Sequence, residues 1–255
     1  MIPADYGPDR LGWRKRFGVL GPSTNTIVEP EMAAMQPAGV TNHYSRIFTP
    51  DAKAISNETF LAGTQVIADN VQDAVDSAMT LAPDQLVMGM SMVTFYGGYE
   101  GSETFRGTVE RRAGVHLSIG SQATAEALKA VGGIRRIAVL SPYFPSANDH
   151  VRRFFSDCGF DVVRDRALEC PSWTAIACVT AATIETVMTH ELDGDDVDAL
   201  VQVGTNLCMA AQAPALEERV SKPVIAINTA TYWHALRRAG IADSIDGFGR
   251  LLRAH

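Results

Sequence analysis

Leu200-Val201-Gln202-Val203-Gly204-Thr205-Asn206-Leu207-Cys208 reads as a buried strand, a tight glycine turn and the capped start of a helix. An earlier stretch, Leu86-Val87-Met88-Gly89-Met90-Ser91-Met92, is its near twin. In both, an acidic residue (Asp84, Asp198) stands two positions before the leucine, and a hydroxyl residue follows the strand. In open α/β sheets, ligands bind beyond the carboxyl ends of parallel strands. Two such ends within one chain imply a cleft shared by two similar halves.

The pattern repeats on either side of these stretches. Arg136-Ile137-Ala138-Val139-Leu140-Ser141-Pro142-Tyr143 echoes Phe17-Gly18-Val19-Leu20-Gly21-Pro22-Ser23. Val224-Ile225-Ala226-Ile227-Asn228-Thr229 echoes the segment from Leu117 to Gln122. By subtraction, Pro142 lies 120 positions after Pro22, Leu200 lies 114 after Leu86, and Leu236 lies 108 after Leu128. The order is kept while the offset drifts, as loop-length changes between duplicated halves produce. Solenoid repeats are far shorter, about 20–50 residues. After an irregular lead-in over 1–15, strands are expected at 16–21, 40–49, 86–89, 115–119, 136–141, 160–163, 200–203 and 224–229. Helices are expected near 57–81, 102–112, 121–131, 148–158, 173–189, 214–220 and 231–239. Alternating strands and helices predict an α/β fold with parallel sheets and right-handed crossovers.

Composition narrows the function classes. The chain has 255 residues, 46% hydrophobic and 20% charged, ordinary values for a globular protein. A formal net charge of −7 argues against a nucleic-acid partner, which calls for a basic footprint. No apolar run approaches the ~20 residues of a membrane span. The amino terminus has no apolar signal core, so a cytoplasmic location is expected. Cys158, Cys170, Cys178 and Cys208 follow no zinc or redox spacing. No metal or cofactor is expected. A homo-oligomer is compatible with this reading.

Several segments together resemble one family. Pro22-Ser23-Thr24-Asn25-Thr26 followed by Glu29 and Glu31 is similar to the opening motif of bacterial maleate isomerases. Phe95-Tyr96-Gly97-Gly98, Ser141-Pro142-Tyr143, Thr205-Asn206-Leu207 and Trp233-His234-Ala235-Leu236-Arg237 fit as well. The likeness runs through nearly the whole chain. It extends to arylmalonate decarboxylase and to the aspartate/glutamate racemases. It implies two pseudo-symmetric α/β half-domains, each a mainly parallel four-stranded sheet flanked by helices, with the active site between them. The expected division is 1–119 plus 226–255 for one half and 120–225 for the other, with the C-terminal strand and helix returning to the first. The resemblance further implies a cofactor-independent isomerase or lyase acting on a small carboxylate. Family racemases and isomerases use two cysteines, one after each central strand; arylmalonate decarboxylase keeps the second. At those positions this chain has Met90 and Gly204.

Turns leave free backbone N–H groups and the positive end of a helix dipole, which together hold anions. Ser23, Thr24, Asn25, Ser91, Thr205 and Asn206 lie at such turns and, with Pro22 and Gly204, are expected to bind the carboxylate. Tyr143 is expected to donate a hydrogen bond, as the matching family tyrosine does. Met90 and Met92 line the pocket without transferring protons. Trp173, where maleate isomerases carry a substrate-binding asparagine, faces either the cleft or the core. Cys208 follows Gly204 by about one helical turn. In the first turn of a helix its thiol pKa would fall, making it a candidate replacement for the missing thiol, against a plain core role. Ser91 and Thr205 are candidate nucleophiles only beside a base. His234 is expected to be structural. Two alternatives remain: a hydrolase of a small cyclic amide or lactone, and a non-catalytic carboxylate-binding protein.

Overall fold

The computed structural model describes residue 7 and residues 9–50 and 56–255. Residues 1–6 and 8 of the expected lead-in lie outside the described residues. The first sheet contains β1 (Lys15–Pro22), β2 (Val40–Ile47), β3 (Gln85–Met88) and β4 (Leu117–Ser118), in the order β2-β1-β3-β4. The second contains β5 (Arg136–Ser141), β6 (Asp161–Ala167), β7 (Ala199–Gln202) and β8 (Val224–Ala226), in the order β6-β5-β7-β8. Every pairing is parallel. Both sheets are flanked by helices, so the α/β fold with two parallel four-stranded sheets stands as expected.

The duplication holds at the level of single bonds. Phe17 pairs with Gln85 and Ile137 with Ala199, offsets of 120 and 114 again. The acidic residues noted before each central strand have one shared job. Asp84 accepts from the Arg16 backbone N–H at 2.8 Å, and Asp198 from that of Arg136 at 2.7 Å. Their own N–H groups donate to the carbonyls of Arg16 and Arg136. Each carboxylate therefore joins the starts of two adjacent strands in fixed register. At the other end, Gly89 N–H donates to Leu20 O and Val203 N–H to Leu140 O.

Helix faces cover the sheets as their periodicity requires. In α7 (Pro145–Asp157), Ala147, Val151, Phe154 and Phe155 are buried at three- and four-residue spacing. In α6 (Gly120–Val131), Ala123, Ala127 and Leu128 form the core face. β8 stays with the second sheet through its pairing to β7. The helix that follows at once, α10 (Ile227–Arg238), packs on α6 and on β3 and β4 of the first sheet. It is buried on nearly all sides, from Ile227 to Leu236.

Three helical expectations are corrected. The 57–81 segment is two helices, α2 (Asn57–Asp69) and α3 (Val71–Met79), broken at Asn70, whose amide donates to the Val66 and Phe48 carbonyls. The 173–189 segment is a short 3₁₀ turn over Ala175–Cys178, then α8 (Ala181–Thr186), which runs into a π-helical stretch over Val187–Leu192. No helix starts at Thr205 or Asn206: residues 205–209 are irregular and α9 begins only at Ala213 (Ala213–Val220). The remaining helices are α1 (Val28–Ala34), α4 (Met92–Phe95), α5 (Gly98–Ala113) and α11 (Arg250–Ala254). No helix among the described residues is long and apolar enough to cross a membrane.

Candidate active site

The turns after β1, β3, β5 and β7 meet in one cavity of about 50 Å³. One water needs roughly 10–15 Å³ on this measure, so the space takes a carboxylate group and a few further atoms before a larger substituent reaches beyond it. Pro22, Thr24, Asn25, Met90, Ser91, Met92, Tyr143, Trp173, Gly204, Thr205 and Asn206 all line it. Of the residues expected there, Ser23 and Cys208 do not. The Ser23 hydroxyl instead accepts from Thr49 N–H at 2.9 Å, tying the end of β1 to the segment after β2. Among the described residues, every lining side chain is uncharged.

A hydrogen-bonded relay crosses between the halves. Ser91 Oγ and Tyr143 OH are 2.5 Å apart. Ser91 Oγ accepts from the Thr205 backbone N–H at 3.2 Å. Thr205 Oγ1 donates to Gly89 O at 2.8 Å and accepts from Asn25 Nδ2 at 3.2 Å. Asn25 Oδ1 meanwhile accepts from the N–H groups of Ile27 and Val28, capping the entry to α1. Asn206 accepts from Thr26 N–H and donates to Trp173 O. The two hydroxyls of Ser91 and Tyr143 hold two protons, and the bond between them uses one. The other is free for a ligand. Burial pushes the Tyr143 phenol well above its usual 10, with the Ser91 bond pulling the other way. The phenol is therefore neutral and a proton donor at pH 7.

Four lining residues also have backbone N–H groups without a described protein partner. Among the described residues, the N–H groups of Met90, Ser91, Gly204 and Asn206 meet no protein acceptor. They form one pair after each central strand. Gly204 makes this geometry possible. Its φ is +105°, and a Cβ there would lie 2.3 Å from Pro142 Cδ. The Gln202 side-chain amide holds the turn, donating to the carbonyls of Val203 and Gly204 at 2.9 and 2.8 Å.

Cys208 needs correction. It is in no helix, and burial followed by its contact with Glu31 raises its pKa rather than lowering it. Its thiol is outside the cavity. His234 does not line this cavity; it is hydrogen-bonded to Ser118 and lies beside Glu126. Sequence reasoning missed Ile67, Ile176 and Pro142 as lining residues. The two isoleucines carry only an apolar-face signal, the same as any core residue. Pro142 was visible as the twin of Pro22.

The sequence profile of the arylmalonate decarboxylase family matches residues 18–252. The chain belongs to that family. Among relatives, maleate isomerase of Pseudomonas putida is 28% identical over 249 residues, covering 93% of this chain and 96% of its own. The fold superposes on maleate cis-trans isomerase of Nocardia farcinica, in a variant with a covalently bound succinylcysteine intermediate. That match has a TM-score of 0.85 at 24% identity, covering 94% of this chain and 99% of that one. A liganded double variant of arylmalonate decarboxylase matches with a TM-score of 0.80 at 21% identity, covering 93% and 98%. The chain thus spans nearly the full length of each of these relatives.

Proposed function

We propose that the cavity is the active site of a cofactor-independent, cytoplasmic isomerase or lyase acting on a small carboxylate. What supports this is one pocket, its described lining uncharged, in which the Ser91–Tyr143 hydroxyl pair lies beside four lining residues whose backbone N–H groups meet no described protein acceptor. Prearranged N–H donors stabilise charge as it develops on a carboxylate that becomes an enediolate. The relatives act on such substrates, as maleate isomerases and arylmalonate decarboxylases are named for.

Of the two reactions, decarboxylation suits these residues better. In the Nocardia isomerase structure the intermediate is bonded to a cysteine. The cavity here is lined by no cysteine, and Met90 and Gly204 stand where the family resemblance puts the thiols. Decarboxylation needs no covalent nucleophile, only a proton donor at the carbon, and the Tyr143–Ser91 pair takes that place where the family decarboxylase keeps one thiol. The carbon–carbon bond breaks, CO₂ leaves, and the electron pair spreads into an enediolate held by the N–H groups. The Tyr143–Ser91 pair then delivers a proton to the carbon and is reprotonated from solvent. The hydrolase alternative gains nothing from these relatives.

Phenylmalonate and maleate, incubated with the protein, test the reading. Release of CO₂ in heavy water, with one deuterium on the former malonate carbon, is the expected result. Conversion of maleate to fumarate alone would assign the isomerase reaction. Neither binding nor turnover of either compound would overturn the proposal, and ¹⁸O from labelled water in the product of a lactone or cyclic amide would move it to a hydrolase.

A further inference from the structure

Glu31 is a buried carboxylate, 8% exposed, with no basic side chain against it among the described residues. Burying such a charge is costly unless hydrogen bonds compensate. Its Oε1 accepts from the N–H groups of Met209 and Ala210, both at 2.9 Å. Its Oε2 accepts from Asn228 Nδ2 at 2.7 Å, and the Cys208 thiol donates to the same carboxylate. Asn228 uses its second amide proton on Thr205 O, at 2.9 Å. Besides its contact with the Cys208 thiol, one side chain on α1 therefore holds the backbone of the loop after β7 at two points, and at a third through Asn228 on α10.

The third point bears on the cavity. A peptide group is planar, so its C=O and the following N–H point in opposite directions. Fixing Thr205 O on Asn228 aims the N–H of Asn206, one of the four unpaired donors. Gln202 does the same for the N–H of Gly204 by taking the carbonyl of Val203. We infer that Glu31, acting through Asn228, is a positioning residue that aims the Asn206 amide at the bound carboxylate. The inference rests on the proposed function for its ligand but not for its geometry.

The test compares Glu31→Ala, Glu31→Gln and Asn228→Ala with wild type. Glu31→Gln keeps an acceptor for the Met209 and Ala210 amides and loses the one for Asn228. Glu217→Gln is the control. Glu217 is equally buried, bonds Val224 and Arg250 N–H, and does not line the cavity. The expected result is a loss of about tenfold or more in phenylmalonate or maleate affinity for all three site variants, in folded protein. The control loses thermal stability alone. Equal affinities, within about twofold, for folded Glu31→Gln and Asn228→Ala overturn the inference. If wild type binds neither compound, the proposed function fails and the inference is judged on the free protein. A shifted Asn206 amide resonance in Glu31→Gln and Asn228→Ala, absent in Glu217→Gln, then supports it. An unmoved resonance overturns it.

Discussion

Gly204→Ala is the sharpest perturbation of the site. At φ +105° an L residue is strained, a cost of about 1–3 kcal/mol. The new Cβ would also meet Pro142 Cδ at 2.3 Å and Cγ at 2.5 Å, against a ring fixed at the end of β5. Overpacking of this kind costs about 1–3 kcal/mol more. The sum is roughly 2–6 kcal/mol, and each kcal/mol lowers the melting temperature by about 2–4 °C in a chain near this size. Urea unfolding of wild type, Gly204→Ala, Pro142→Ala and the double variant separates the two parts. In the Pro142→Ala background the ring overlap is gone, so the Gly204→Ala penalty should shrink by about 1–3 kcal/mol while the backbone part stays. A penalty under about 0.5 kcal/mol, or one identical in both backgrounds, would refute the reasoning. The same geometry predicts that Gly204→Cys destabilises at least as much and does not install a working thiol.

Three further outcomes follow from the site and its supports. Tyr143→Phe keeps the ring and removes one hydroxyl of the Ser91–Tyr143 pair that delivers the proton, and should lower kcat by about 10²–10⁴, the contribution of a general acid, read in the decarboxylation assay. Cys208, its thiol held above the usual 9, should alkylate slowly at pH 7 and still be gaining rate above pH 9 when followed by peptide-resolved mass spectrometry; a plateau below pH 8 would contradict it. The Arg136 guanidinium and backbone N–H hold the Asp198 carboxyl below its usual 3.8. Because the folded value is depressed, its stabilisation is present above about pH 4 and lost as pH falls through the lowered value. Asp198→Asn should therefore be less stable than wild type by about 1–2 kcal/mol at pH 7, with the gap closing below pH 3.

The fold was legible because it rests on local patterns repeated twice. The offsets of 120 and 114 recur in the strand register, and the acids at Asp84 and Asp198 bond equivalent positions. The cavity was legible to the extent that it follows strand ends. What failed depends on partners far away in sequence. The run after Gly204 has the composition of a capped helix start, yet the N–H groups of Thr205, Met209 and Ala210 go to Ser91 and Glu31, more than 100 residues away. With those bonds in place the helix waits until Ala213, and Cys208 loses the helix-end setting that would have activated it. Ser23 and Asn25 are equally polar in sequence. Pairing of β1 with β2 turns Ser23 toward Thr49, which no local signal encodes. Glu31 fits the ordinary place of an acid in a first helical turn, and only the packing of α10 against α1 reveals it as buried.

The most direct measurement is a crystal structure with phenylmalonate or maleate bound. The account predicts density between the two sheets, with a carboxylate within hydrogen-bond reach of Ser91 or Tyr143 and of the Gly204 and Asn206 amides. A ligand seated elsewhere, with this cavity holding only water at saturating concentration, would contradict it.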